Sequence, residues 1–264
     1  MKKLFTAVAA AVALLTAGVA TAETVAKPPK PTIVLVHGAF ADASSWNGVI
    51  RILEKDGYPV VAAANPLRGV RSDAAAVADV VASIPGSVVL VGHSYGGSVI
   101  SEAANGKANV RSLVFVAAFA PDAGETAAGL SGKFPGSTLA PTLAPAVTLS
   151  DGGKDLYIQQ ERFPDQFAAD VPAAEAKLMA ATQRPVAQAA LGEASGEGAW
   201  HHVPSWFVYG DQDRNIPPQA LAFMAERAHS HGTVVVKGGS HVVMVSHPDA
   251  VAALIEKAAA SPAP

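Results

Sequence analysis

Val88-Val89-Leu90-Val91-Gly92-His93-Ser94-Tyr95-Gly96-Gly97 decides how the rest of the chain is read. Its first four residues are apolar and three are β-branched, the pattern of a short strand buried on both faces, and the residues after Ser94 turn helical. Between them lies the pentapeptide Gly92-His93-Ser94-Tyr95-Gly96. A sharp strand-to-helix turn strains its central residue and crowds the positions two before and two after it. Glycine at those two positions removes the Cβ atoms that would clash. The Ser94 hydroxyl then stands clear at the carboxyl end of the strand.

Working outward, further apolar runs at 32–36, 60–64, 110–118, 205–209 and 233–237 read as strands. Helical periodicity occupies 46–55, with Ser44 or Ser45 as cap and Trp46, Ile50 and Leu53 on one face. Ser72-Asp73 caps a helix through Ile84, and helices follow over 217–228 and over 248–259, the latter capped by Ser246. Strands alternating with helices of this length call for an α/β fold: a mostly parallel sheet of about six strands with helices on both faces.

Residues 121–203 interrupt that alternation with proline-, glycine- and alanine-rich sequence, and helices are expected near 164–170 and over 173–182. The segment is too long for a simple connection and is read as a cap over the carboxyl end of the sheet, leaving 32–120 and 204–260 as the core. Phe134, Leu139, Leu156, Tyr157, Ile158, Phe163, Phe167 and Met179 are its candidates for lining a pocket.

The 264 residues are 50% hydrophobic and 16% charged, which suits one domain with a large core. A formal net charge of −3 gives no electrostatic reason to expect nucleic acid or an anionic membrane as partner. The absence of cysteine excludes disulfides, a thiolate nucleophile and thiolate metal sites. Lys2 and Lys3 precede an apolar run to Val19, and Ala20-Thr21-Ala22 offers a cleavage site, so residues 1–22 read as a signal peptide. The expectation is export to the periplasm or medium, with no membrane association after cleavage. The proline-rich leader 23–31 cannot be helical.

Ser94 needs a base to accept its proton during attack. Of eight histidines, His37 belongs to a turn, His93 lies beside the serine with its side chain turned elsewhere, and His229, His231 and His247 flank helix ends. The adjacent pair His201-His202 is a poor metal site, because neighbours on an extended chain point to opposite faces. His241 remains, in Gly238-Gly239-Ser240-His241, on a loop at the same sheet edge as Ser94. Its carboxylate partner comes from Tyr209-Gly210-Asp211-Gln212-Asp213, with Asp213 preferred and Asp211 the alternative. The chain order Ser, Asp, His is that of an α/β-hydrolase triad. The oxyanion formed on attack needs two donors, assigned to the amides of Tyr95 and Ala39, and Phe40 in the same loop is placed at the substrate.

These pieces resemble the α/β-hydrolase superfamily over 32–259, and within it the branch of small bacterial esterases, plant methylesterases and hydroxynitrile lyases. The shared residues are His37-Gly38-Ala39 followed by Trp46, the elbow, Gly210 and Asp213 leading to Ile216-Pro217, and Ser240-His241 with Met244. The resemblance supports Asp213 and the Ala39 amide, and implies no metal and no organic cofactor. Its hydroxynitrile lyases carry lysine directly after the catalytic histidine, where this chain has Val242. The expected activity is hydrolysis of a small to medium apolar ester or lactone through an acyl-enzyme. A lyase use of the same triad and a non-catalytic binding protein are the alternatives.

Overall fold

Buried, β-branched runs dictate the frame. The computed structural model describes residues 29–262, so the expected signal peptide and most of the leader lie outside the described residues. Strands β1 (Thr32–Val36), β2 (Val60–Ala63), β3 (Val88–His93) and β4 (Val110–Val116) come first. The short strands β5 (Val147–Thr148), β6 (Lys154–Leu156) and β7 (Val186–Ala187) form a separate antiparallel sheet within the insertion. Strands β8 (Ser205–Gly210) and β9 (Thr233–Val236) then complete a six-stranded parallel sheet of order β2-β1-β3-β4-β8-β9.

The helices of the frame are α1 (Asn47–Lys55), α2 (Val70–Ala82) and α3 (Tyr95–Ala103). The insertion adds α4 (Ala127–Gly132), α5 (Phe163–Phe167), α6 (Ala173–Thr182) and α7 (Gln188–Gly192). The chain closes with α8 (Pro218–Arg227), α9 (Val243–Ser246) and α10 (Pro248–Ala260). From β1 the chain steps outward to β2 and then crosses back past β1 to β3. Right-handed crossovers therefore put α1 on one face and α2 and α3 on the other. Packing agrees, since α1 lies against α10 and α2 against α3. The reversal of direction falls between β1 and β3, and a crevice for ligands opens at the carboxyl ends of those two strands.

Several local expectations are corrected. The turn before α1 is capped by Asp42, whose side chain accepts from the Ser44 amide, rather than by Ser44 or Ser45. Helix α2 begins after Gly69, so Ser72 and Asp73 sit inside its first turn. Ser246 closes α9, and His247 precedes α10.

A candidate active site at the switch point

The elbow is built as its glycines require. Ser94 sits at φ 53°, ψ −123°, a conformation that side-chain-bearing residues rarely adopt. A Cβ on Gly92 would stand 2.6 Å from the Gly96 carbonyl oxygen, and one on Gly96 would stand 2.6 Å from the Val36 carbonyl oxygen. Neighbouring backbone holds the turn. The Ser94 amide donates to Val116 O (3.2 Å), and its carbonyl accepts from the Gly97 and Phe119 amides at 2.9 and 3.1 Å.

His241 lies on the loop between β9 and α9 and is 1% exposed, so it is a buried group rather than a loosely held surface one. Its Nδ1 donates to Asp213 Oδ2 at 2.7 Å. The other oxygen of Asp213 accepts from the amides of Asn215 (2.8 Å) and Ile216 (3.0 Å). Those two bonds occupy one oxygen and leave the other for the imidazole. Asp211 is committed elsewhere, accepting from the Gly238 amide at 2.7 Å. Geometry therefore joins Asp213, and not Asp211, to His241.

Ser94 and His241 line one cavity of about 330 Å³ together with Ala39, Phe40 and Tyr95. Among the described residues no hydrogen bond joins Ser94 Oγ to His241, a contact that commonly tightens only when substrate is bound. The Ala39 amide has no partner among the described residues, and the Tyr95 amide, first in α3, has no intrahelical acceptor. Both donors are thus free at the cavity. Phe40 has φ 60° and its amide donates to Arg184 O (3.1 Å), tying this loop to the insertion.

Two histidines that looked incidental in the sequence brace the site. His37 Nε2 accepts from the Asn65 amide (3.1 Å), which leaves its Nδ1 to donate to Gly38 O at 3.0 Å. Asn65 Nδ2 returns a bond to His37 O (2.8 Å), so the loop carrying Ala39 is held from both sides. His93 is not among the residues lining the cavity, and its ring packs against His241 with centroids 4.8 Å apart. Its Nε2 donates to His241 O at 3.2 Å, and Nδ1 is buried without a partner among the described residues. Burial, then repulsion from His241, holds His93 well below the ordinary imidazole value; burial likewise lowers His37. Both are neutral supports. The Tyr95 phenol donates to buried Asp73 (3.0 Å), fixing the elbow helix on α2. Burial raises the Asp73 carboxyl, and burial followed by the Asp73 charge pushes the Tyr95 phenol far upward.

Of the residues expected to line the pocket, Leu139 and Phe167 do so. Phe134 packs on Phe223, Leu156 lies in β6, Ile158 and Phe163 are buried in the insertion, Tyr157 lines another cleft, and Met179 lines a separate one beside α1. The rest of the wall is made of apolar side chains such as Phe119, Leu143, Leu191 and Ile216, small residues of α4 such as Ala127 and Ala128, and the polar Ser131, Ser137 and Asn215. Small residues in alanine-rich sequence carry no signal that would single them out. His201 stacks on Trp200 and contacts Asp122 (3.0 Å).

The alpha/beta hydrolase family matches residues 33–254, which covers both halves of the sheet and the insertion. The chain belongs to that family. Relatives of this hydrolase include the alpha/beta hydrolase nvfD of Aspergillus novofumigatus, 25% identical over 87% of this chain and 97% of that protein. A carbendazim hydrolyzing esterase of Nocardioides sp. is 34% identical over 38% of this chain and 47% of its own. Among solved structures, polyneuridine aldehyde esterase superposes with TM-score 0.75 at 20% identity, covering 86% of this chain and 98% of that one. A pyrethroid hydrolase from Sphingobium faniae JZ-2 gives TM-score 0.69 at 23% identity, with 88% and 98% covered. At these identities the superpositions show the hydrolase fold.

Proposed function

We propose that this hydrolase is a serine esterase that cleaves small to medium, uncharged apolar carboxylic esters or lactones through an acyl-enzyme. One observation carries the reading. Among the described residues, the cavity that gathers Ser94, His241, Ala39 and Tyr95 has no Lys, Arg, Asp or Glu in its wall. A neutral acyl or alcohol group is at home there, whereas a charged one would lose its hydration without a partner.

In this reaction Ser94 Oγ attacks the ester carbonyl as His241 Nε2 takes its proton. The developing oxyanion is held by the Ala39 and Tyr95 amides. Asp213 fixes the imidazole with Nδ1 protonated and stabilises the imidazolium. His241 returns the proton to the leaving alcohol. Water then attacks the acyl carbonyl as it gives a proton to the same nitrogen, and that proton passes to Ser94 Oγ as the acyl–oxygen bond breaks and the acid leaves. Relatives described as esterases support this chemistry. Val242, in the place of the lyase lysine, is fully buried and brings no charge to the cavity.

The test is turnover of p-nitrophenyl acetate and butyrate. Ser94→Ala is expected to lose roughly 10⁶-fold in kcat; rates equal to wild type would overturn the assignment. Export is a second part of the proposal, supported by residues 1–22. The exported protein is expected to begin at Glu23, and a mature chain sequenced from Met1 would exclude cleavage.

A further inference from the structure

Gly238, at φ 76°, and Gly239 lead into Ser240 and His241, and the loop's own bond runs from the Gly239 amide to Val236 O at 3.2 Å. Support arrives from outside. Asp211 accepts from the Gly238 amide, and His93 donates to the His241 carbonyl. The third support comes from the insertion. After α5 the chain turns through Ala168, whose carbonyl accepts from the Val171 amide (3.1 Å), and this turn presents Asp170 to the loop. The Ser240 hydroxyl, on a residue 2% exposed, donates to Asp170 Oδ1. The second oxygen of Asp170 lies 3.2 Å from His247 Nε2, beyond α9. One carboxylate therefore holds Ser240, the residue before His241, by a hydrogen bond and lies beside His247 without bonding it. The same segment lays the Phe167 ring against the His241 ring, centroids 5.0 Å apart at 64°.

We infer that Asp170 is a positioning residue for His241: by binding Ser240 it makes the placement of the base depend on the insertion being seated. The inference rests on the esterase reading for its kinetic test. His241 must keep Nδ1 on Asp213 while Nε2 addresses the Ser94 proton. Losing the Ser240 anchor lets the backbone carrying the imidazole shift, and displacements of about 1 Å reduce turnover as much as 100-fold. A residue that merely shaped the insertion would instead alter affinity for bulky esters and spare a small one.

The experiment compares wild type, Asp170→Ala, Asp170→Asn, Ser240→Ala and the double alanine variant on p-nitrophenyl acetate. Asp170→Ala is expected to lower kcat about ten-fold with KM unchanged within about two-fold. Asp170→Asn keeps an acceptor oxygen for Ser240 and is expected to recover most of that loss. Ser240→Ala is expected to match Asp170→Ala, and the double variant to lose nothing further. The Nδ1 proton of His241, followed by NMR, is expected to shift or broaden in both single alanine variants. Unchanged kcat in either, a change confined to KM, or additive losses would overturn the inference. If Asp170→Ala does not fold, Ser240→Ala removes only a hydroxyl and decides the matter. Wild type without ester turnover would end the esterase reading alone, while the His241 proton would still report on positioning.

Discussion

Asp213 and Asp211 are two residues apart, and their roles separate on burial and partners. Asp213 meets buried His241 with one oxygen and two amides with the other, whereas Asp211 caps the Gly238 amide at the surface. Asp213→Asn puts an amide where a charged acceptor is needed, and kcat on p-nitrophenyl acetate is expected to fall by roughly 10⁴. Asp211→Asn retains an acceptor for Gly238 and is expected to stay within about five-fold of wild type. Equal losses in both variants would contradict these roles. Sequence alone narrowed the acid to this loop and preferred Asp213, a preference the resemblance supported. What it lacked was the direction of each side chain. His93 shows the same gap: its support of the His241 carbonyl depends on a loop about 150 positions later in the chain.

Elements were legible where they are long and buried. Residues 88–91 carry four apolar side chains with no break, and all four are fully buried in the middle of the sheet. The ends were less so. The strand runs on to His93 because the kink needs Ser94, not the last valine, at positive φ. Strands β5 to β7 have two or three residues each, too few for any periodicity to register. The elbow gives the prediction at this scale. Gly96→Ala drives a methyl against the Val36 carbonyl, backbone against backbone, and β1 and α3 must part. The expected cost is about 1–3 kcal/mol or more, read as a lower denaturation midpoint with unchanged slope. A midpoint equal to wild type would show that the turn relaxes freely.

At the scale of the whole molecule, the two supporting histidines set a pH dependence. Both are held below the ordinary value of 6.5, chiefly by burial. Between 6.5 and its folded value, each binds a proton in the unfolded chain that the fold refuses. Stability therefore falls as pH drops below that value, by up to about 1.4 kcal/mol per pH unit for each histidine within its window. Asp73 acts with the opposite sign. Its raised carboxyl takes up a proton in the fold first, so its contribution is present below 3.8 and lost as pH rises through its folded value. Urea titrations at pH 5, 6 and 7 are expected to show the loss towards acid, and His93→Gln to reduce it by about one proton. Identical pH slopes for variant and wild type would rule out His93 as a source.

Among the attachments that fasten the insertion to the core are Phe40 N to Arg184 O, the Arg68–Asp155 ion pair at 2.6 Å, and Ser240 to Asp170. The first holds the loop beside the Ala39 amide, and the last adjoins His241. In engineering terms, this part of the chain is not an interchangeable module. A chimera that borrows a relative's insertion to change the pocket must also bring a carbonyl for Phe40 and a carboxylate for Ser240. Otherwise it will trade selectivity for rate.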